Sequence, residues 1–207
     1  MEERYYLLKI RLIDIEPEIW RRFVVPGTIT LDRLHDVIQI VMGWTDSHLH
    51  TFSIGGKDYV EMPEDFGIEE GKYHLVDLIK KKGRTFIYEY DYGDSWKHEI
   101  LIENSNFNTL SLLQPIQCTE GERACPPEDV GSTSGYADFC KAIADPKHEE
   151  HKHLKEWYSE LSMSTGEYNS EAFDINRVNI ELMRYMRWSR TRFIDWEVDM
   201  GSVDVIF

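Results

Sequence analysis

The stretch "TFIYEYDYGDSWKHEILIE", residues 85–103, constrains the fold more than any other part of this chain. Apolar and polar side chains alternate on both sides of Gly93–Asp94–Ser95. Period-two alternation marks a strand with one buried face. The spacing predicts an antiparallel hairpin with a three-residue loop at Gly93–Asp94–Ser95, in which Gly93 supplies a positive φ. Tyr92 then faces Trp96, Tyr90 faces His98, Tyr88 faces Ile100 and Phe86 faces Ile102, all on one face. Asp91 faces Lys97 on the other.

The remaining elements build on this ribbon. "YYLLKIRLI" (5–13) alternates as a strand, Pro17 breaks it, and "IWRRFVVP" follows as a second strand of a hairpin. Leu31, Leu34, Ile38, Val41 and Met42 recur at helical spacing, with Thr30 as the cap and Gly43 as the stop. His35 lies on that apolar stripe and is expected to be buried and hydrogen-bonded. Residues 48–54 form a strand, "GGKD" a turn, "EMPEDFGIEEG" an exposed loop and "YHLVDLIKK" a short helix. Residues 104–134 are mostly irregular, and helical patterns follow from Gly135 to about residue 188. The last segment looks strand-like. The class is α+β: a largely antiparallel sheet with a hairpin-plus-helix start, β-grasp-like, and C-terminal helices. A single domain over 1–207 is expected, with a sheet-rich part (1–130), a helical annex (135–188) and a tail (189–207).

Charge excludes some functions. The chain has 38 acidic and 23 basic residues, a net −15 that repels phosphate backbones, and no basic stripe offsets it. Direct nucleic-acid binding is therefore not expected. No apolar run is long enough to span a bilayer, "MEERYYLLKI" has no signal-peptide pattern, and the three cysteines are too few for a disulfide scaffold. A cytoplasmic, acidic protein without membrane contact is expected.

Two candidate sites emerge. His48 and His50 in "GWTDSHLHTF" point the same way if both lie on a strand. With His98 on the hairpin they would form a rim with Asp91, Asp94 and Trp96. An imidazole cluster of this kind suits zinc or another transition metal, with His48 and His50 as ligands and His98, Asp91 or Asp94 as the third. The competing expectation is that the imidazoles complete the core. The second candidate pairs Cys118 and Cys125 with His148 and His151. Six residues separate the cysteines, looser than a zinc finger, so buried free thiols are the simpler expectation. No phosphate loop, H-E-x-x-H or G-x-S-x-G is present, and no motif calls for another cofactor.

The segments "IWRRFVVPGTITLDRLHDVIQIVMGWTDSHLHTF", "YEYDYGDSWKHEI", "GERACPPEDVGSTSGY" and "DINRVN", in this order, resemble the plasmid pRiA4b ORF-3-like family from about residue 5 to residue 188. Positions matching its motifs include His48, His50, Asp91, Asp94, Trp96, His98, Cys125, Glu128 and Asp129; Tyr92 and Ser132 depart from them. The resemblance implies a plasmid-associated α+β protein with no established activity. Relatives carry resolvase or repressor labels, yet neither a nucleophile domain nor a helix-turn-helix is visible here. The expected function is a non-catalytic binding or interaction module for a protein or small-molecule partner. The alternatives are a metal-dependent hydrolase using the histidines and aspartates of the rim, and an acidic accessory protein.

Overall fold

Alternation is realised in eight strands: β1 (Tyr5–Leu12), β2 (Trp20–Pro26), β3 (His50–Ile54), β4 (Lys57–Val60), β5 (Ile68–Glu69), β6 (Thr85–Tyr90), β7 (Trp96–Asn104) and β8 (Gln117–Glu122). Among the described residues five α-helices accompany them: α1 (Leu31–Met42), α2 (Leu75–Leu78), α3 (Ser132–Ala144), α4 (His151–Ser162) and α5 (Ile175–Trp188). The computed structural model describes residues 4–63, 66–162 and 167–188; the strand-like C-terminal segment lies outside them. The strands form one sheet in the order β5-β4-β3-β6-β7-β1-β2-β8, antiparallel except between β4 and β5. The class is therefore α+β. The strand order does not establish the β-grasp-like detail, since β1 lies inside the sheet against antiparallel β7.

The sheet has one apolar and one charged face. Tyr6, Leu8, Ile10 and Leu12 of β1 are buried beside Phe86, Tyr88 and Tyr90 of β6 and Ile100 and Ile102 of β7. Leu34, Val37, Ile38 and Val41 of α1 complete this core cluster. On the other face Arg11 meets Glu99 at 2.9 Å and Arg22 meets Glu103 at 2.6 Å. Such half-exposed pairs contribute little stability but keep that face soluble.

The hairpin register differs from expectation by two residues. Tyr90 faces Trp96, Tyr88 faces His98 and Phe86 faces Ile100, so the turn spans Asp91 to Ser95. Asp91 (φ 58°) and Ser95 (φ 56°) take the left-handed conformations, not Gly93. Asp91 accepts the Gly93 N–H at 2.9 Å through Oδ1, and its carbonyl accepts the Ser95 N–H at 2.6 Å. This Asx turn outcompetes the shorter loop. A shift of two preserves the parity of every side chain, so the aromatic face is still the buried one.

Three further expectations change. Strand β3 begins at His50, which leaves His48 in the preceding loop. The acidic "EMPEDFGIEEG" segment is not wholly exposed: Glu70 is buried. Residues 117–122 supply the edge strand β8, where an irregular loop was expected. Its Cys118 N–H donates to Asn179 Oδ1 at 2.8 Å, and Asn179 Nδ2 donates back to the Cys118 carbonyl at 2.9 Å. A side chain of α5 thus takes the place of a neighbouring strand and covers an edge that could pair with another chain.

Candidate metal centre at the hairpin rim

Three loops converge at one end of the sheet. The first runs from α1 to β3. Gly43 (φ 104°) ends the helix, and Gln39 Oε1 accepts the Asp46 N–H at 2.9 Å. The Ser47 N–H then donates to the Tyr90 hydroxyl at 2.9 Å, which directs His48 toward β6. The second is the Asp91–Ser95 turn. The third follows β8 and is tethered by Arg21, a buried guanidinium that donates to the carbonyls of Glu122 (2.7 Å), Arg123 (2.8 Å) and, on α1, Val41 (2.8 Å). Asp94 Oδ2 accepts the Gly131 N–H at 2.9 Å and joins the second loop to the third.

These loops bring one imidazole and three carboxylates together. His48 Nε2 lies 3.3 Å from Asp129 Oδ1, 3.8 Å from Asp91 Oδ2 and 3.8 Å from Glu128 Oε2. Glu128 is 8% exposed. Its Oε1 accepts from the Thr45 N–H (2.8 Å), the Thr45 hydroxyl (3.0 Å) and the Tyr90 hydroxyl (3.1 Å). Burial and the nearby Glu128 charge push the Tyr90 phenol up, so Tyr90 remains a donor. Oε1 is thereby saturated. Oε2 is buried without a hydrogen-bond partner, as is His48 Nε2 opposite it. Two of the four cluster residues, Asp91 (φ 58°) and Asp129 (φ 56°), hold left-handed backbone.

A metal fits the shortest of these separations, and the two at 3.8 Å would have to close slightly around it. With bonds of about 2.0–2.2 Å, the ligand atoms of a tetrahedral centre stand roughly 3.3–3.6 Å apart. Among the described residues, His48, Asp91 and Asp129 form the one group of at least three potential ligands, their atoms all within 4.8 Å of one another.

The other candidate residues lie elsewhere. His50 is buried and bonds Glu70 through Nε2 at 2.9 and 3.0 Å. Its ring stacks on His35 at 3.6 Å, and His35 bonds Asp46 and the Tyr88 hydroxyl, each at 2.8 Å. Burial first, then the His50 charge, lowers His35 to about 4. Trp96 (1% exposed) and His98 (0%) stand inside the core against Trp44, with ring centroids 5.6 and 6.4 Å away. Burial lowers His98 to about 4, so it is neutral. Asp94 serves the loop contact to Gly131. The Cys118, Cys125, His148 and His151 set does not converge on one point. Cys118 Sγ faces the carbonyls of Arg22 and Glu120, and His151 Nδ1 bonds the Ala142 carbonyl at 2.8 Å. Burial raises both the Cys118 and Cys125 thiols.

Sequence reasoning placed His48 and Asp91 on the rim but did not join Glu128 and Asp129 to them. The available signal was their acidic pair directly after Pro126–Pro127, within a segment already matched to the family's motifs. No local pattern connects that segment to His48.

The fold and site define a class: an α+β protein with a one-sided, mostly antiparallel sheet and a histidine–carboxylate cluster at its rim. The chain belongs to the plasmid pRiA4b ORF-3-like protein family, whose profile matches residues 4–178 and so includes all four cluster residues. The uncharacterized protein y4hQ of Sinorhizobium fredii (strain NBRC 101917 / NGR234) is 39% identical over 176 residues, 83% of this chain and 87% of that protein. The crystal structure of MM3350 from Methanosarcina mazei Go1, a protein of unknown function, superimposes with a TM-score of 0.73 at 31% identity, covering 85% of this chain and 98% of that one. No helix among the described residues is long and apolar enough to cross a membrane.

Proposed function

We propose that this protein is a binding module whose rim holds one divalent transition-metal ion, with His48 Nε2, Asp91 and Asp129 as ligands. One observation carries the reading: His48 Nε2 is buried without a hydrogen-bond partner and faces three carboxylates at 3.3–3.8 Å. A mixed imidazole–carboxylate set close to tetrahedral spacing favours zinc first and manganese or ferrous iron next. Glu128, fixed through Oε1, either closes the shell through Oε2 or leaves a fourth position for water. The second arrangement supports a hydrolase, because Glu128 Oε2 would then sit beside that position as a base.

Calorimetric titration of chelator-treated protein with zinc and with manganese tests the proposal. One equivalent should bind, and His48→Ala should weaken it by roughly 100-fold or more while the protein stays folded. Absence of stoichiometric binding of either ion would remove the metal. Glu128→Gln separates the two arrangements: as a fourth ligand it lowers affinity, whereas as a base it leaves affinity nearly intact.

A further inference from the structure

Beside this cluster lies a second feature, which shares Asp129 alone with the proposed metal site. A cavity of about 270 Å³ opens between the 129–130 segment, α3 and α4. Phe139, Leu154 and Trp157 give it apolar and aromatic walls, Asp129 and Asp138 its acidic edge, and His153 stands at the same wall. The rings of Phe139 and Trp157 meet edge to face at 5.8 Å. The volume falls just below that of drug-sized sites, which suits a small ligand.

The charges around it have one sign. No lysine or arginine lines the cavity. Lys141 approaches Asp138 at 2.8 Å, where both side chains are well exposed, whereas among the described residues Asp129 has no lysine or arginine ion pair and meets only His48 Nε2, at 3.3 Å from its Oδ1. The whole chain adds a field of net −15. Apolar aromatic walls beside a carboxylate suit a cation with an apolar body: the walls take the body and the carboxylate supplies the counter-charge.

We infer that the α3–α4 cavity binds a small organic ammonium compound, its apolar body against Trp157 and Leu154 and its charged nitrogen toward Asp129. This inference does not depend on the metal, so its test is run on the full chain in excess chelator.

Titration with 2-phenylethylamine, followed by the Trp157 indole resonance, should show saturable binding. Trp157→Ala and Asp129→Asn should each weaken it by about tenfold. The isosteric anion 3-phenylpropionate should bind at least about tenfold more weakly. Trp157→Phe keeps an aromatic wall and the packing on Phe139, and should retain most of the affinity; it guards against a Trp157→Ala variant that fails to fold. Equal binding of amine and anion would overturn the inference. So would the absence of saturable amine binding, or a concentration-dependent dimer that buries Trp157 and excludes the amine. Failure of zinc to bind would leave these outcomes unaffected.

Discussion

Thr45 holds Glu128 twice, through its backbone N–H at 2.8 Å and its hydroxyl at 3.0 Å, both to Oε1. The loop after α1 thus fixes the orientation of a carboxylate brought in by the loop after β8, and the other oxygen is left facing His48. Thr45→Val removes the hydroxyl and keeps the backbone donor. The expected result is a zinc affinity lowered by about tenfold with a melting temperature within a few degrees of the parent, since outer contacts tune a ligand without defining the fold. Titration calorimetry with a parallel thermal melt measures both.

Asp91 combines two tasks in one side chain: Oδ1 holds the Gly93 N–H and Oδ2 faces His48. Asp91→Asn can keep the turn bond through its carbonyl oxygen and loses the anionic ligand. Its unfolding curve should match the parent while metal affinity falls by at least about tenfold. Asp91→Ala loses both and leaves an alanine at positive φ, costing in addition about 1–2 kcal/mol in denaturant unfolding.

Gly135 lies where α3 presses on the loop that carries Glu128 and Asp129. A Cβ there would stand 2.1 Å from the Val130 carbonyl oxygen, so backbone has to move. Gly135→Ala should destabilise by about 2 kcal/mol or more and displace Asp129 from His48. Urea unfolding reads the first effect and zinc titration the second. Parental values for both would show that the loop yields easily.

His35 and His98 are buried, and both are lowered to about 4 from an ordinary value of 6.5. A histidine lowered on folding is neutral in the native state and takes a proton once unfolded. Its stabilising effect is complete above about pH 6.5 and is lost as pH falls toward 4. Denaturant midpoints should therefore drop steeply between those limits. His98 alone contributes on the order of 3 kcal/mol across that window. In His98→Leu the acid limb should become shallower; an unchanged slope would show that His98 is not the group responsible.

Asn179 covers the edge strand β8 by bonding both the N–H and the carbonyl of Cys118. Cys118 is fully buried, so Asn179→Ala strands two interior backbone groups. The cost should be about 2 kcal/mol, with faster amide exchange at Cys118 than at central β1 positions.

Period-two alternation and helical spacing were enough, without coordinates, to specify the α+β class, the buried parity of β1, β6 and β7, and the apolar stripe of α1. These are local properties: a side chain's face follows from its position along the strand, which is why the two-residue error in the hairpin register left the buried face unchanged. His35 was legible for the same reason, as a polar group on an apolar stripe that had to find partners. The histidine–carboxylate cluster was not legible. His48, Asp91, Glu128 and Asp129 sit on three loops far apart in the chain, and their meeting depends on left-handed turns at Asp91 and Asp129 and on the buried Arg21 tether. Alternation suggested His48 and His50 with His98, Asp91 or Asp94, and Asp91 does face His48; yet β3 starts one step beyond Leu49 and β7 carries His98 into the core. Loop closure and burial are long-range free energies of the whole packed chain, and no periodicity in a linear sequence encodes them.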